Sequence, residues 1–374
     1  MKYKLSELSS YVTEKILVSE LQEYQYISTD NMVLNRGGII PTKYFPQLGK
    51  VASFKKGDIL ISNIRPYFKK IWLASFNGGC SNDVLVIRAN SKIDNNFLYY
   101  VLSSDDFFDY VTATSKDGTK MPRGDRVAVM KYQVPNFSLE TQQKIAKILS
   151  SLDEKIELNN KINENLHAQA QAIFKSWFVN FEPFGGTMPS DWEKGKLSDV
   201  ADITMGQSPK GESYNEIGDG EVFYQGKADF AERFPVRRLY TTEPKRMAEE
   251  KSVLLSVRAP VGEINVATEK CCIGRGLASI KSKNGQNSYL LYLLYSIQSQ
   301  FDIFNGEGTV FGSINKSDLG NMNIVLPAQE KISQFEKIAS QLDEMILTNW
   351  NENQKLAQIR DTLLPKLMSG ELEV

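Results

Sequence analysis

Between residues 139 and about 181 the apolar positions fall into a regular stripe. Leu149, Leu152, Ile156, Asn159, Asn163, Leu166, Ala170, Ile173 and Trp177 alternate three and four residues apart, which is the spacing of a coiled-coil seam. The helix this predicts would be roughly 60 Å long. A stripe of that length cannot be buried inside one small domain, so it needs a partner helix.

A partner lies in the same chain. At a shift of 190 residues the seam returns as Leu342, Ile346, Asn349, Asn353 and Leu356, with Leu363 following after a break at Arg360. The tripeptide Leu152, Asp153, Glu154 returns as Leu342, Asp343, Glu344. Upstream, Gln142 to Ile145 (QQKI) matches Gln329 to Ile332 (QEKI) at a shift of 187, which predicts three extra residues near the start of one helix. Asparagine in a seam costs stability but penalises wrong registers, because an unpaired buried amide is expensive. Two helices with asparagines in corresponding places are expected to pair.

The two long helices alternate with two globular stretches whose patterns also repeat. In the first, apolar runs at 58–62 (DILIS) and 83–88 (DVLVIR) predict strands and 96–102 (NFLYYVL) predicts a short helix. In the second, Val253 to Ser256 (VLLS) echoes Ile59 to Ser62 (ILIS), and Tyr289 to Leu294 (YLLYLL) echoes Phe97 to Leu102 at a shift of 192. Glu182, Pro183, Phe184, Gly185 and Gly186 break the first helix, and Ser138 is placed to cap its start. The expected fold is α+β, with two similar globular domains at 1–138 and 186–326. Helical spacers at 139–185 and 327–374 would form an antiparallel coiled coil with an internal pseudo-twofold.

Composition narrows the function classes. The net charge is −1, but residues 1–138 carry 18 basic against 13 acidic side chains, so any anion-binding surface must be local. The three cysteines, Cys80, Cys271 and Cys272, include no CxxC pair, and with His167 as the sole histidine they make no ordinary zinc site. No metal and no cofactor is expected. No apolar run reaches the ~18 residues of a membrane span, and the start lacks the apolar core of a signal peptide, so a cytoplasmic location is expected.

Two variable modules, each followed by a helix with the QxKI and LDxxI patterns, resemble the DNA specificity subunit of type I restriction-modification systems. The segments 174–184 (FKSWFVNFEPF) and 363–371 (LLPKLMSGE) resemble that family's conserved-region endings. The resemblance implies that the modules are target recognition domains, each reading half of a split DNA site, and that the coiled coil acts as a ruler. It also implies partners: double-stranded DNA, two methyltransferase (modification) subunits, and motor-endonuclease (restriction) subunits. The chain itself would supply no chemistry. It contains no Pro-Pro dipeptide of the kind an adenine methyltransferase uses to hold its base, and no G-x4-G-K-[ST] phosphate loop.

Base reading needs donors and acceptors aimed at base edges, plus cations on phosphates. In the first module the candidates are Thr29, Asp30, Asn31, Arg36 and Lys43, then Asn63, Arg65, Lys69 and Lys70, and finally Lys116, Thr119, Lys120 and Arg123. In the second they are Gln207, Lys210, Gln225 and Lys227, then Arg258 and Arg275, and finally Thr309, Asn315 and Lys316. The loops at Gly118-Thr119 and Gly308-Thr309 rank first because they recur in both modules. The aromatic cluster Phe174, Trp177, Phe178 and Phe181 is expected to dock partner subunits. Two other readings stay open. A coiled-coil adaptor whose modules bind proteins would show no duplex preference, and a stand-alone nuclease would cut DNA with a divalent metal alone.

Overall fold

The computed structural model describes residues 2–115, 121–305 and 312–374. The chain divides into two compact units, Met1–Leu158 with Asn351–Val374, and Asn159–Trp350. The division falls inside both long helices, Leu139–Phe178 and Gln329–Ser369. Each unit therefore holds one globular module and a stretch of each helix.

In the first unit a four-stranded antiparallel sheet runs in the order Ser9–Tyr11, Val84–Ala89, Ile59–Ser62, Ile71–Leu73. Its central strands read as unbroken apolar runs because both faces are covered. Ile59, Ile61, Leu85 and Ile87 face a core built with the helices, while Leu60, Val84 and Val86 face a second core, as the two-residue side-chain period requires. A second sheet, Lys15–Leu17, Lys50–Phe54, Gly78–Cys80, Tyr26–Ile27, ends in a parallel pair. Helix Asn95–Ser103 is capped by Asp94, which accepts from the Phe97 N–H, and it buries Phe97, Leu98, Val101 and Leu102. Each large apolar side chain so buried contributes about 1.5–3 kcal/mol. Lys2–Lys4 pairs with Gln133–Pro135 to close the module, and the Ser138 hydroxyl then accepts from the Thr141 N–H at 3.1 Å at the start of the long helix.

The second unit repeats this plan. Its first sheet runs Ala201–Met205, Leu277–Ser282, Val253–Ser256, Ile264–Val266. Val253, Leu255, Ala278 and Ile280 face the helical core, and Leu254 and Leu277 face the other. The second sheet has five strands and again contains a parallel pair, Glu221–Tyr224 with Cys271–Ile273. Glu193–Lys196 pairs with Asn323–Leu326, and the helix Asn287–Ser296 lies over the sheet. The fold is thus the α+β duplication with long helical spacers that the sequence pattern predicts.

Within each unit the two helices run antiparallel. In the first unit Lys155 meets Glu352 at 3.3 Å and Asp153 meets Arg360 at 2.7 Å. In the second, the Asn349 amide donates to the Asn163 carbonyl oxygen at 2.8 Å, and the Asn163 amide donates to the Ile346 carbonyl at 3.3 Å. The seam residues Leu149, Asn159, Leu166, Ile346 and Asn353 are buried, and Leu152, Ile156, Leu342, Leu356 and Leu363 are half-buried.

Two expectations about these helices are corrected. Arg360 does not interrupt the pairing, because its charge is met on the seam by Asp153 and the apolar stripe resumes at Leu363, Leu364 and Leu367 in the core of the first unit. Nor does one helix begin three residues earlier. The helices start at Leu139 and Gln329, 190 apart like the seam, and their buried positions coincide at that shift: Gln142 with Ile332, Ile145 with Phe335, Leu149 with Ala339. The QxKI match at 187 is therefore not a structural equivalence, since it would put these buried positions out of phase.

Candidate nucleic-acid interface

In the first unit Arg36, Asn63, Arg65, Lys69 and Lys70 lie on two loops joined by backbone hydrogen bonds. The Asn35 and Arg36 N–H groups donate to the Phe68 and Lys69 carbonyls, both at 2.9 Å. Asn35, Arg36, Arg65 and Lys69 all take left-handed backbone conformations, with φ between 50° and 64°, which costs side-chain-bearing residues about 1–3 kcal/mol each. The Asn63 Oδ1 and Arg65 Nε are buried and have no hydrogen-bond partner among the described residues. Arg65 also lies over the Phe68 ring, 5.8 Å from its centre. Both loops carry strained residues, and the unsatisfied polar atoms lie on the second, features that concentrate at ligand-binding segments.

The other basic groups there are already engaged. Arg36 and Lys69 both bond the Asp105 carboxylate, Lys69 at 2.6 Å, and those contacts, Lys69 foremost, pull the Asp105 pKa down. The Lys70 ammonium donates to the Thr29 carbonyl at 2.6 Å, and its burial lowers its pKa. Arg123 meets Asp83 at 3.0 Å, and the segment carrying it bridges to Ile64 beside Arg65. Asp30 and Lys43 are exposed.

Some candidates turn out to be structural. Asn31 is only 4% exposed. Its carbonyl oxygen accepts from the Ser28 N–H, and its amide donates to the Tyr26 and Ile40 carbonyls, so it clamps a turn and presents nothing to a base. Asn315 caps the helix Lys316–Gly320 by accepting from the Asp318 N–H at 2.9 Å, leaving Lys316 exposed at the first helical position. Lys116, Thr119, Lys120 and Thr309, and with them both top-ranked loops, lie outside the described residues.

In the second unit Lys210 and Lys227 are paired with Glu212 and Glu263, at 3.7 and 2.7 Å. Arg258 is exposed, and its strand end bridges to Ser313 just as Ile64 bridges to Arg123. Gln207, Gln225 and Arg275 are exposed on three backbone segments that touch one another. The Gly276 N–H donates to the Gln225 carbonyl, the Gly274 N–H to the Tyr224 carbonyl and the Gln207 N–H to the Ile273 carbonyl.

The expected docking cluster is corrected in part. Phe174 and Phe178 are 2% and 5% exposed and pack on Phe335 and Tyr289 within the second unit. Their ring area is spent inside the unit. Trp177 and Phe181 are half-buried at the edge of the same core.

The sequence reading missed a partly buried polar cluster in each unit. In the first, the Tyr100 hydroxyl donates to Asp153 at 2.7 Å, and Asp153 also takes Arg360. In the second, the Tyr292 hydroxyl donates to Asp343 at 2.7 Å and Arg233 bonds the same carboxylate, while the Arg233 guanidinium donates to the His167 Nδ1 at 2.9 Å. Burial, reinforced by the Arg233 charge and opposed by Asp343, pulls the His167 pKa down to about 4. The recurring Tyr and LDE motifs were the signal that could have found these clusters. Among the described residues no group of three His, Cys, Asp or Glu is placed to hold a metal, and no helix is long and apolar enough to cross a membrane.

The family model described as the type I restriction modification DNA specificity domain matches the chain twice, over residues 1–168 and 189–361. The chain belongs to that family. Among its relatives, the type I restriction enzyme HindI specificity subunit of Haemophilus influenzae is 27% identical, and the alignment covers 99% of each chain. The MjaIX specificity subunit of Methanocaldococcus jannaschii is 28% identical over 96% of this chain and 86% of its own. The crystal structure of a type I restriction-modification S subunit from M. genitalium shares the fold at 19% identity with a TM-score of 0.63, covering 98% of this chain and 96% of that one.

Proposed function

We propose that this chain is the DNA specificity subunit of a type I restriction-modification complex. Each globular module, 1–138 and 186–326, reads one half of a split site, and the paired helices of 139–185 and 327–374 set the unread gap. The observation that carries this reading is the double family match, one for each structural repeat. The chain acts without chemistry of its own and binds two modification subunits, and a restriction subunit joins the same assembly. Base contacts fall on the strained loops of the first module and on the Gln207, Gln225 and Arg275 surface of the second. Trp177 and Phe181, which keep part of their surface exposed, contribute to subunit docking.

With a net charge near −1 and many loop cations already ion-paired, the chain alone should bind duplex DNA weakly, because counterion release needs several free Lys or Arg on phosphates. Co-expression with modification subunits tests the reading. A stable complex that methylates adenine within one split sequence is expected. An adaptor would co-purify without any sequence preference, and tight sequence-specific binding by the chain alone at physiological salt would contradict the shared role of the partners.

A further inference from the structure

Three backbone segments of the second module approach closely, at two points more closely than a side chain allows. A Cβ at Gly206 would lie 2.1 Å from the Gly274 carbonyl oxygen, one at Gly276 would lie 2.7 Å from the Gln225 carbonyl oxygen, and one at Gly274 would lie 3.0 Å from that same oxygen. Close approach alone requires glycine at Gly206 and Gly276, and leaves Gly274 tight. The result is a knot of backbone held by the hydrogen bonds from Gly206 to Leu277, Gln207 to Ile273, Gly274 to Tyr224 and Gly276 to Gln225. The backbone N–H of Arg275 adds a bond to the Ser208 hydroxyl at 3.2 Å.

Three long polar side chains stand on this rigid knot: Gln207, Gln225 and Arg275, all exposed. Several nearby cations are neutralised, Lys227 by Glu263, Arg237 by Glu269 and Arg238 by Asp229, while Arg246 and Arg258 flank the knot and are exposed. Arg275 has no ion pair or side-chain hydrogen bond among the described residues. An arginine on a stiff backbone support costs little backbone entropy to order and breaks no ion pair when it binds, and its two parallel donors match the O6 and N7 acceptors of guanine. A glutamine amide likewise matches the N6 and N7 of adenine.

The first module has the same place with different chemistry. Its parallel strand pair matches Tyr26 with Gly79 and Ile27 with Cys80, where the second matches Phe223 with Cys272 and Tyr224 with Ile273. By this register Ser28 stands where Gln225 does, and Asn82 where Arg275 does. The Ser81 N–H bonds the Ile27 carbonyl as the Gly274 N–H bonds that of Tyr224. One backbone location thus carries short side chains in one module and long bidentate ones in the other, as two readers of different half-sites require.

We propose that Gln207, Gln225 and Arg275 are base-reading residues of the second module, with Arg275 on a guanine and the glutamines on adenines. This rests on the DNA-specificity reading above. The test compares the full chain in complex with its modification subunits, as parent, R275A, R275K, Q225A and R237A, by mapping methylated adenines across a genome and measuring methylation rates on the parental site. R275A and R275K should both relax one guanine position of one half-site and slow methylation there roughly ten- to a hundredfold, leaving the other half-site unchanged. Q225A should relax a different position of the same half-site. R237A, which removes a neighbour ion-paired with Glu269, should keep the parental motif. If R275K keeps the parental motif and rate, or if R275A slows methylation equally at every sequence, Arg275 is not a base reader and the proposal falls. A parent complex that methylates no split site would instead sink the DNA-specificity reading itself.

Discussion

The two units solve one problem with different residues. Each sets a buried tyrosine against a half-buried aspartate where its module meets the helices, Tyr100 with Asp153 in the first and Tyr292 with Asp343 in the second. Burial foremost, with the aspartate beside it, pushes both tyrosine hydroxyls up, so they remain donors. Each aspartate also needs a cation. In the first unit Arg360 of the second long helix supplies it. At the shift of 190, the position on the first long helix that corresponds to Arg360 is Ala170, fully buried, and there the module's own Arg233 supplies the charge. The repeat has preserved the electrostatic balance of the buried pair while changing where the cation comes from. A buried carboxylate left alone costs several kcal/mol, so the charge is conserved by physics even where the residue is not.

The difference in burial predicts unequal sensitivity. Arg233 and Asp343 have side chains 10% and 17% exposed, against 21% and 32% for Arg360 and Asp153. Replacing Arg233 by methionine strands Asp343 in the drier site and should destabilise the second unit by about 3–5 kcal/mol. The readout is hydrogen exchange along the helix Asn287–Ser296. The same change at Arg360 should cost the first unit only about 1–2 kcal/mol, because water reaches Asp153 and methionine restores an apolar seam. Equal losses would erase the distinction between the two sites.

A smaller effect sharpens it. His167 is present only in the second unit's cluster, and Ala357 holds the corresponding place in the first. The folded His167 titrates near 4, below the ~6.5 of an unfolded chain. The unfolded state therefore binds the extra proton first. Stability due to neutral His167 is complete above pH 6.5 and is lost as pH falls from there toward 4. Thermal melts over that window should show the second unit weakening on acidification and H167Q abolishing that part of the slope. An unchanged slope in H167Q would show that His167 does not carry it.

The helical stripe was legible because its periodicity is local and long, and the strands at Ile59 to Ser62 and Val253 to Ser256 because each is a short unbroken apolar run. Arg360 read as a break because its answer, Asp153, lies on the other helix and only the antiparallel pairing reveals it. Asn31 and Asn315 read as surface donors because a turn clamp, a cap and a base reader share one composition. The Gly274-Arg275-Gly276 knot was visible as letters, but its meaning depends on the Gln225 backbone standing nearly fifty residues away in sequence. The parallel strand pairs, only two to four residues per strand, are too short to leave a pattern.

That the paired helices measure the gap between half-sites is tested most directly by lengthening them together. Four residues inserted after Asn160 and four after Asn351 add one turn to each helix, about 6 Å. At about 3.4 Å per base pair the modules could then move apart by at most roughly two base pairs. Methylated adenines mapped genome-wide for the parent and the insertion variant, each with its modification subunits, should show identical half-sites and a gap wider by one or two base pairs. An unchanged gap, or altered half-sites at the old gap, would contradict the ruler.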